Sequence, residues 1–146
     1  MSRRHNAKVS KLNMNFNQRK ALLRTQMNAL IAGGKIETTQ ARAKLVKILF
    51  DKLASKAQDK TLSSRRQTAG KLASPKGANR LVEAILPVMG DRRGGFTRMT
   101  KLFRRRGDGA TLVRLELTNQ PIAVLPKAKK ADKPTVTKTK KVAKKQ

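Results

Sequence analysis

Leu23, Met27, Leu30 and Ile31 recur at i, i+4, i+7 and i+8, the spacing of one apolar helix face, and predict a helix over about 18–32 that Gly33 and Gly34 end. Residues 35–38 then read as a short extended segment. Thr38 or Thr39 can cap a longer helix reaching about Ala57, whose apolar stripe reads Ala41, Leu45, Ile48, Leu49 and Leu53. A third helix is predicted over 62–73. Ser74 and Pro75 then form a cap with proline at the first helical position, and Ala78, Leu81, Val82, Ile85 and Leu86 mark an apolar face before Pro87 stops the helix.

Beyond Pro87 the period changes from helical to alternating. Residues 96–103 read as a strand, Arg106-Gly107-Asp108-Gly109 as a turn, and Val113, Leu115 and Leu117 as the inward positions of a second strand. The two pair as a hairpin to which 35–38 can add a third strand. These stripes are read as core rather than as a ligand site. The fold class is therefore α+β, three to four helices packed on a small mixed or antiparallel sheet.

Composition divides the chain into three parts. Residues 1–17 carry Asn6, Asn13, Asn15 and Asn17 among basic residues, with too little apolar surface to bury, and read as a basic arm ordered only by a partner. Residues 18–118 form a single globular domain. Residues 119–146 contain Pro121, Pro126 and Pro134 in a Lys/Ala/Thr repertoire, with nine lysines after Pro126 against Asp132 alone, and read as a low-complexity tail, disordered by itself.

Charge says what such a chain touches. Thirty-six Lys and Arg stand against eight Asp and Glu, for a formal net charge of +28 in 146 residues. Self-repulsion on that scale destabilises an isolated domain and points to a polyanionic partner, nucleic acid above all. The first acid is Glu37, so Arg3, Arg4, Lys8, Lys11, Arg19, Lys20, Arg24 and Lys35 meet no counter-charge before it. A second cluster comprises Arg92, Arg93, Arg98, Lys101, Arg104, Arg105 and Arg106, diluted by Asp91 and Asp108, and the tail is a third. Three separated basic regions suit a protein embedded in its partner better than one docking a single face.

Catalytic chemistry finds no constellation here. Without cysteine there is no thiol nucleophile, disulfide or Cys-ligated zinc. His5 is the sole imidazole and has no carboxylate nearby to orient it, so phosphate contact or plain exposure is its expected role. Gly33-Gly34-Lys35-Ile36 lacks the upstream glycine and the Ser or Thr of a P-loop. Asp91 and Asp108 lie among arginines that keep them ionised, which disfavours general-acid work. The stretch from Ala21 to Ala32 is interrupted by Arg24, Gln26 and Asn28, so neither a membrane span nor a signal peptide is expected. No cofactor, metal or small-molecule substrate is implied, and the compartment reads as cytosol-like.

The expected contacts follow from the residue types. Arginine forks hold phosphate oxygens bidentately, lysines supply movable point charges, and Gly94, Gly95, Gly107 and Gly109 let backbone amides approach a nucleic-acid backbone. With four phenylalanines and no Tyr or Trp, a platform stacking single-stranded bases is not expected, and recognition rests on shape and phosphate position.

A family resemblance rests on four motifs in order: Gln18-Arg19-Lys20-Ala21-Leu22-Leu23-Arg24; Gly34-Lys35-Ile36-Glu37-Thr38-Thr39 followed by Ala41-Arg42-Ala43-Lys44; Asp91-Arg92-Arg93-Gly94-Gly95-Phe96-Thr97-Arg98; and Arg105-Arg106-Gly107-Asp108-Gly109-Ala110. Over roughly residues 3–117 the chain resembles the bacterial L-seventeen family of large-subunit ribosomal proteins. The resemblance implies a structural component of the cytoplasmic ribosome, an organellar one remaining open. It further implies large-subunit ribosomal RNA and neighbouring large-subunit proteins as partners, on the solvent side toward the exit-tunnel region. One departure stands out. The family has a Gly-Arg-Thr type segment and a His before the Arg-Lys-Ala-Leu-Leu-Arg run, where this chain has Asn13-Met14-Asn15-Phe16-Asn17-Gln18, so arm contacts there are not carried over. The alternative reading is a nucleoid-type DNA-binding or RNA-annealing protein, which shares the charge but lacks a groove-reading element.

Overall fold

Gln18 has a structural task. Its Oε1 accepts the backbone N–H of Asn15 at 3.3 Å, one half of a capping box that starts α1 (Phe16–Gly33) in the computed structural model, which describes residues 10–119. The helix thus begins two residues before the predicted position, inside the segment assigned to the arm, and Leu12 just ahead of it packs against the core. The rest of the arm, 1–9, and the tail from 120 onward lie outside the described residues. Leu23, Met27, Leu30 and Ile31 are buried as the spacing predicts. Gly34, at φ 73°, ends the helix by donating its N–H to the Leu30 carbonyl at 2.8 Å, in the left-handed region that glycine occupies without strain.

Strand β1 (Lys35–Thr39) runs directly into α2 (Gln40–Ala57) with no intervening loop. Thr39 is extended as a cap residue should be, but its side chain makes no capping bond. The predicted stripe of α2 is only partly right. Leu45 and Leu53 are buried, whereas Ala41, Ile48 and Leu49 face outward. The inward face is Ala43, Leu45, Val46, Phe50, Leu53, Ala54 and Ala57. Two apolar faces compete on this helix, and its rotation is set by the strand that feeds it, where Thr38 points inward. Alanines at 43, 54 and 57 let the backbones of neighbouring elements approach where larger residues would hold them apart.

Helix α3 (Leu62–Leu72) is capped by Thr61, whose Oγ1 accepts the Ser64 N–H at 3.2 Å. It buries Ser64, Thr68 and Leu72, a face that apolar patterning does not reveal. The two hydroxyls are satisfied locally: Ser64 donates to the Lys56 carbonyl and Thr68 to the Ser64 carbonyl.

The fourth helix, α4, starts at the predicted Ser74 cap, whose Oγ accepts the Gly77 N–H at 3.1 Å. It runs through an α segment Pro75–Arg80, a π-helical stretch Leu81–Ile85 and a last α segment Leu86–Met89. Pro87 therefore does not stop it. The Leu86 N–H bonds to the Leu81 carbonyl, five residues back, and this widened turn makes room for a proline ring that would clash with a regular i−4 carbonyl.

Strands β2 (Thr97–Arg104) and β3 (Thr111–Leu117) form the predicted hairpin, and β1 adds to its other side, giving a three-stranded sheet in the order β1-β3-β2, antiparallel throughout. Ile36, Leu115 and Met99 share one register row, and this inner face meets the helices, with α2 touching all three strands. The core is sealed by Phe50, Phe96, Leu30, Leu72, Leu81, Ile85 and Leu115, all fully buried. The α+β expectation holds, with four helices on one side of the sheet.

Candidate nucleic-acid interface

The basic residues divide into those with internal partners and those left facing solvent. Arg24 is the clearest of the first kind. Its Nε donates to the Lys71 carbonyl at 3.0 Å and its Nη2 to the Gly70 carbonyl at 3.1 Å, while Asn28, one turn on, donates to the Leu72 carbonyl at 3.0 Å. Two side chains of α1 thus satisfy three successive carbonyls at the end of α3, groups a helix otherwise leaves unpaired. Arg24 ties α1 to α3.

The outer sheet face is a mixed-charge lattice. Lys35 and Arg98 stand on either side of Glu116 in register, and Glu37 pairs with Arg114 at 2.9 Å. A phosphate approaching Lys35 or Arg98 meets carboxylates in the same rows, which weakens its attraction there.

At the far end of the hairpin, Lys101, Arg104, Arg105 and Arg106 project with Phe103, all exposed. Asp108 organises this tip. Arg105 forks onto its carboxylate at 3.1 and 2.6 Å, the Ala110 N–H donates to it at 3.3 Å, and the Arg105 N–H donates to the Ala110 carbonyl at 2.9 Å. The Arg105 fork, helped by the Ala110 amide, pulls the Asp108 carboxyl down from its ordinary 3.8 to about 2. A depressed acid supports the folded tip fully above its unfolded pKa, and that support is lost as pH falls through the folded value. In an NMR titration the Ala110 amide should therefore move with a midpoint near 2; a midpoint at 3.8 would show that the clamp does not form.

The loop carrying Arg92, Arg93, Gly94 and Gly95 is exposed along its length and pinned at both ends. Gln58 donates to the Gly90 and Arg92 carbonyls, and Thr118 donates to the Gly95 carbonyl at 3.0 Å. Asp51, on α2, accepts the Phe96 N–H at 3.2 Å. Partial burial pushes the Asp51 carboxyl above its ordinary value, an effect that the Phe96 amide, the Lys47 charge and the Gly95 amide partly offset. Asp51 orients this loop, a role its position in α2 did not announce.

Two grooves join regions far apart in the chain. One, between the start of α1 and α2, is lined by Arg19, Lys20 and Arg24 together with Lys52 and Lys71. The other holds Arg93 beside Lys52, Lys56 and Lys71. Lys52 and Lys71 belong to both, so the first and second basic clusters of the sequence meet across them. Lys52, Lys56 and Lys71 are not among the contacts expected from the sequence, although Lys52 and Lys56 at i, i+4 lie on one side of α2 and signal a charged outer face. Lys35, Arg98 and the hairpin tip line neither groove. Lys11 is exposed ahead of α1, and Arg3, Arg4, His5 and Lys8 lie outside the described residues. Among the described residues no His, Cys, Asp or Glu cluster suits a metal, and no helix is long and apolar enough to cross a membrane.

A model of the family described as Ribosomal protein L17 matches residues 22–118. The large ribosomal subunit protein bL17 of Natranaerobius thermophilus is 44% identical over 107 residues, which cover 73% of this chain and 95% of that protein. The protein of the same name from Clostridium tetani is 42% identical with the same coverage. That of Akkermansia muciniphila is 36% identical over 118 residues, 81% of this chain and 87% of the relative.

Proposed function

The chain belongs to the ribosomal protein L17 family, whose members are structural and non-catalytic, and from that premise we propose that it is a constituent of the large ribosomal subunit that stabilises large-subunit ribosomal RNA through arginine and lysine contacts to phosphate. Its place is in the ribosome, cytoplasmic in bacteria, beside other large-subunit proteins. The observation that carries the RNA reading is the convergence of Arg19, Lys20 and Arg93, distant in sequence, on Lys52 and Lys71. Cations gathered from separate elements present a continuous surface for a folded phosphate backbone, which recognition by shape requires.

Replacing Lys52, Lys71 and Arg93 together by Ala tests this. All three are exposed, so thermal unfolding should change little, while the slope of log affinity for RNA against log salt should flatten by about one for each lost phosphate contact. In lysate, the unsubstituted chain should sediment with large subunits in high salt and the triple variant should be partly stripped from them. Recovery of the unsubstituted chain with the nucleoid would contradict the proposal and favour the DNA-binding alternative.

A further inference from the structure

The four phenylalanines separate into two kinds. Phe50 and Phe96 are sealed in the core at 0% exposure, whereas Phe103 at the hairpin tip is 63% exposed and Phe16 at the first position of α1 is 67% exposed. Unlike the core rings, Phe16 stands at the edge of an apolar groove. The floor is aliphatic, made by Leu23 and Met27 of α1 with Leu49 and Leu53 of α2. Leu49 is itself 37% exposed, on the face of α2 that the core leaves uncovered. The volume is about 430 Å³, inside the range of roughly 300–1,000 Å³ typical of small-ligand sites and ample for one nucleotide.

Charge selects the occupant. The groove is rimmed by Arg19, Lys20, Arg24, Lys52 and Lys71 and has no acidic residue in its lining. The Arg19 guanidinium lies 6.0 Å and the Lys20 ammonium 5.7 Å from the Phe16 ring centroid, within cation–π range, so charge and ring are presented together. Arg24 is held to the Gly70 and Lys71 carbonyls, which fixes that wall in place. An apolar segment of a neutral or basic protein would bury its own surface here at the expense of desolvating cations it cannot pair. A flat apolar body carrying phosphates on its edge satisfies the floor, the ring and the rim at once.

We propose that this groove takes a single unstacked base of the bound RNA, stacked on Phe16 and seated over Leu49, with its flanking phosphates on Lys20, Lys52 and Lys71. The proposal rests on the RNA-binding reading above and adds to it a base-contacting site. The aliphatic floor offers no hydrogen bonds to a base edge, so the site distinguishes a splayed nucleotide from a paired one and tolerates any base. One ring beside one groove is not a platform for successive bases, and the expectation that no such platform exists is unaffected.

The test uses the full chain and two probes of one mixed sequence, a ten-nucleotide single-stranded RNA carrying 5-iodouridine and the same RNA as a duplex. Phe16→Ala should lower affinity for the single strand about tenfold, as loss of one base–aromatic stack does, and leave the duplex unchanged. Phe16→Trp should restore it, and circular dichroism should show all variants folded because the ring is exposed. Ultraviolet cross-linking of the iodinated strand should map to Phe16. Equal losses for both probes, or none, would overturn the proposal while leaving phosphate binding intact. Binding of neither probe by the unsubstituted chain would overturn the RNA reading and this site with it. In assembled large subunits, Leu49→Cys is the sole thiol of a cysteine-free chain and can carry a photoactivatable azide. A cross-link from it to RNA supports the assignment, and one to a neighbouring protein refutes it.

Discussion

Raising salt from about 50 to 200 mM is expected to weaken RNA binding by the full chain roughly 10³- to 10⁵-fold, the largest effect anticipated for this protein. The magnitude depends on how many cations neutralise phosphate, and the structure narrows that count. Arg24 is committed to α3, Arg105 to Asp108, Arg114 to Glu37 and Arg65 to Glu83. Among the described residues, Arg19, Lys20, Lys52, Lys56, Lys71 and Arg93 line the two joined grooves, and Lys101, Arg104 and Arg106 project at the hairpin tip. These nine fall within the ~6 to 10 contacts that give such a slope, because each neutralised phosphate releases its condensed counterions. Fluorescence anisotropy at graded salt reads the slope directly. A nearly flat response would mean that binding is driven by something other than these cations.

The second large effect concerns stability. Phe50→Ala should cost about 3 to 5 kcal/mol, since the ring is fully buried at the centre of α2 and its removal leaves a cavity among well-packed neighbours. For a body of this size the melting temperature should fall by roughly 10 to 30 °C. Ile48→Ala, two positions earlier on the same helix, removes a side chain that is 48% exposed and should change stability by no more than about 1 kcal/mol. Thermal unfolding followed by circular dichroism distinguishes the pair. Comparable losses at both positions would mean that α2 presents a different face to the core.

That pair also shows where sequence reading reaches its limit. Local patterning located α1, its glycine stop, the Ser74 cap and the hairpin, because each depends on residues a few positions apart. It also implied that the core would be apolar and the surface strongly cationic. Along α2, however, Ala41, Leu45, Ile48, Leu49 and Leu53 form as good a helical stripe as Ala43, Val46, Phe50, Leu53 and Ala57. Periodicity gives the angles between side chains and leaves the rotation of the helix open when two faces are apolar. The buried hydroxyl face of α3 and the π-helical passage before Pro87 escaped for a related reason: both are answers to neighbouring elements and backbone geometry, not to hydrophobicity.

The expectation of a polyanionic partner was legible in the sequence by itself, because net charge is a sum over residues and does not depend on where they sit. So were the order of elements and the motifs shared with the family. Only the tertiary structure decided which cations are available. Arg24 and Arg105, expected from the sequence to contact phosphate, bond a helix terminus and a carboxylate within the chain, while Lys52 and Lys71, in no obvious basic cluster, join Arg19 and Lys20 to Arg93. The Arg105 pair is local, three residues apart, but the tie of Arg24 to α3 and the convergence of the grooves arise from distances between elements remote in the chain. They are set by the packing of α1, α2 and α3 on one another, which no local count of charge contains.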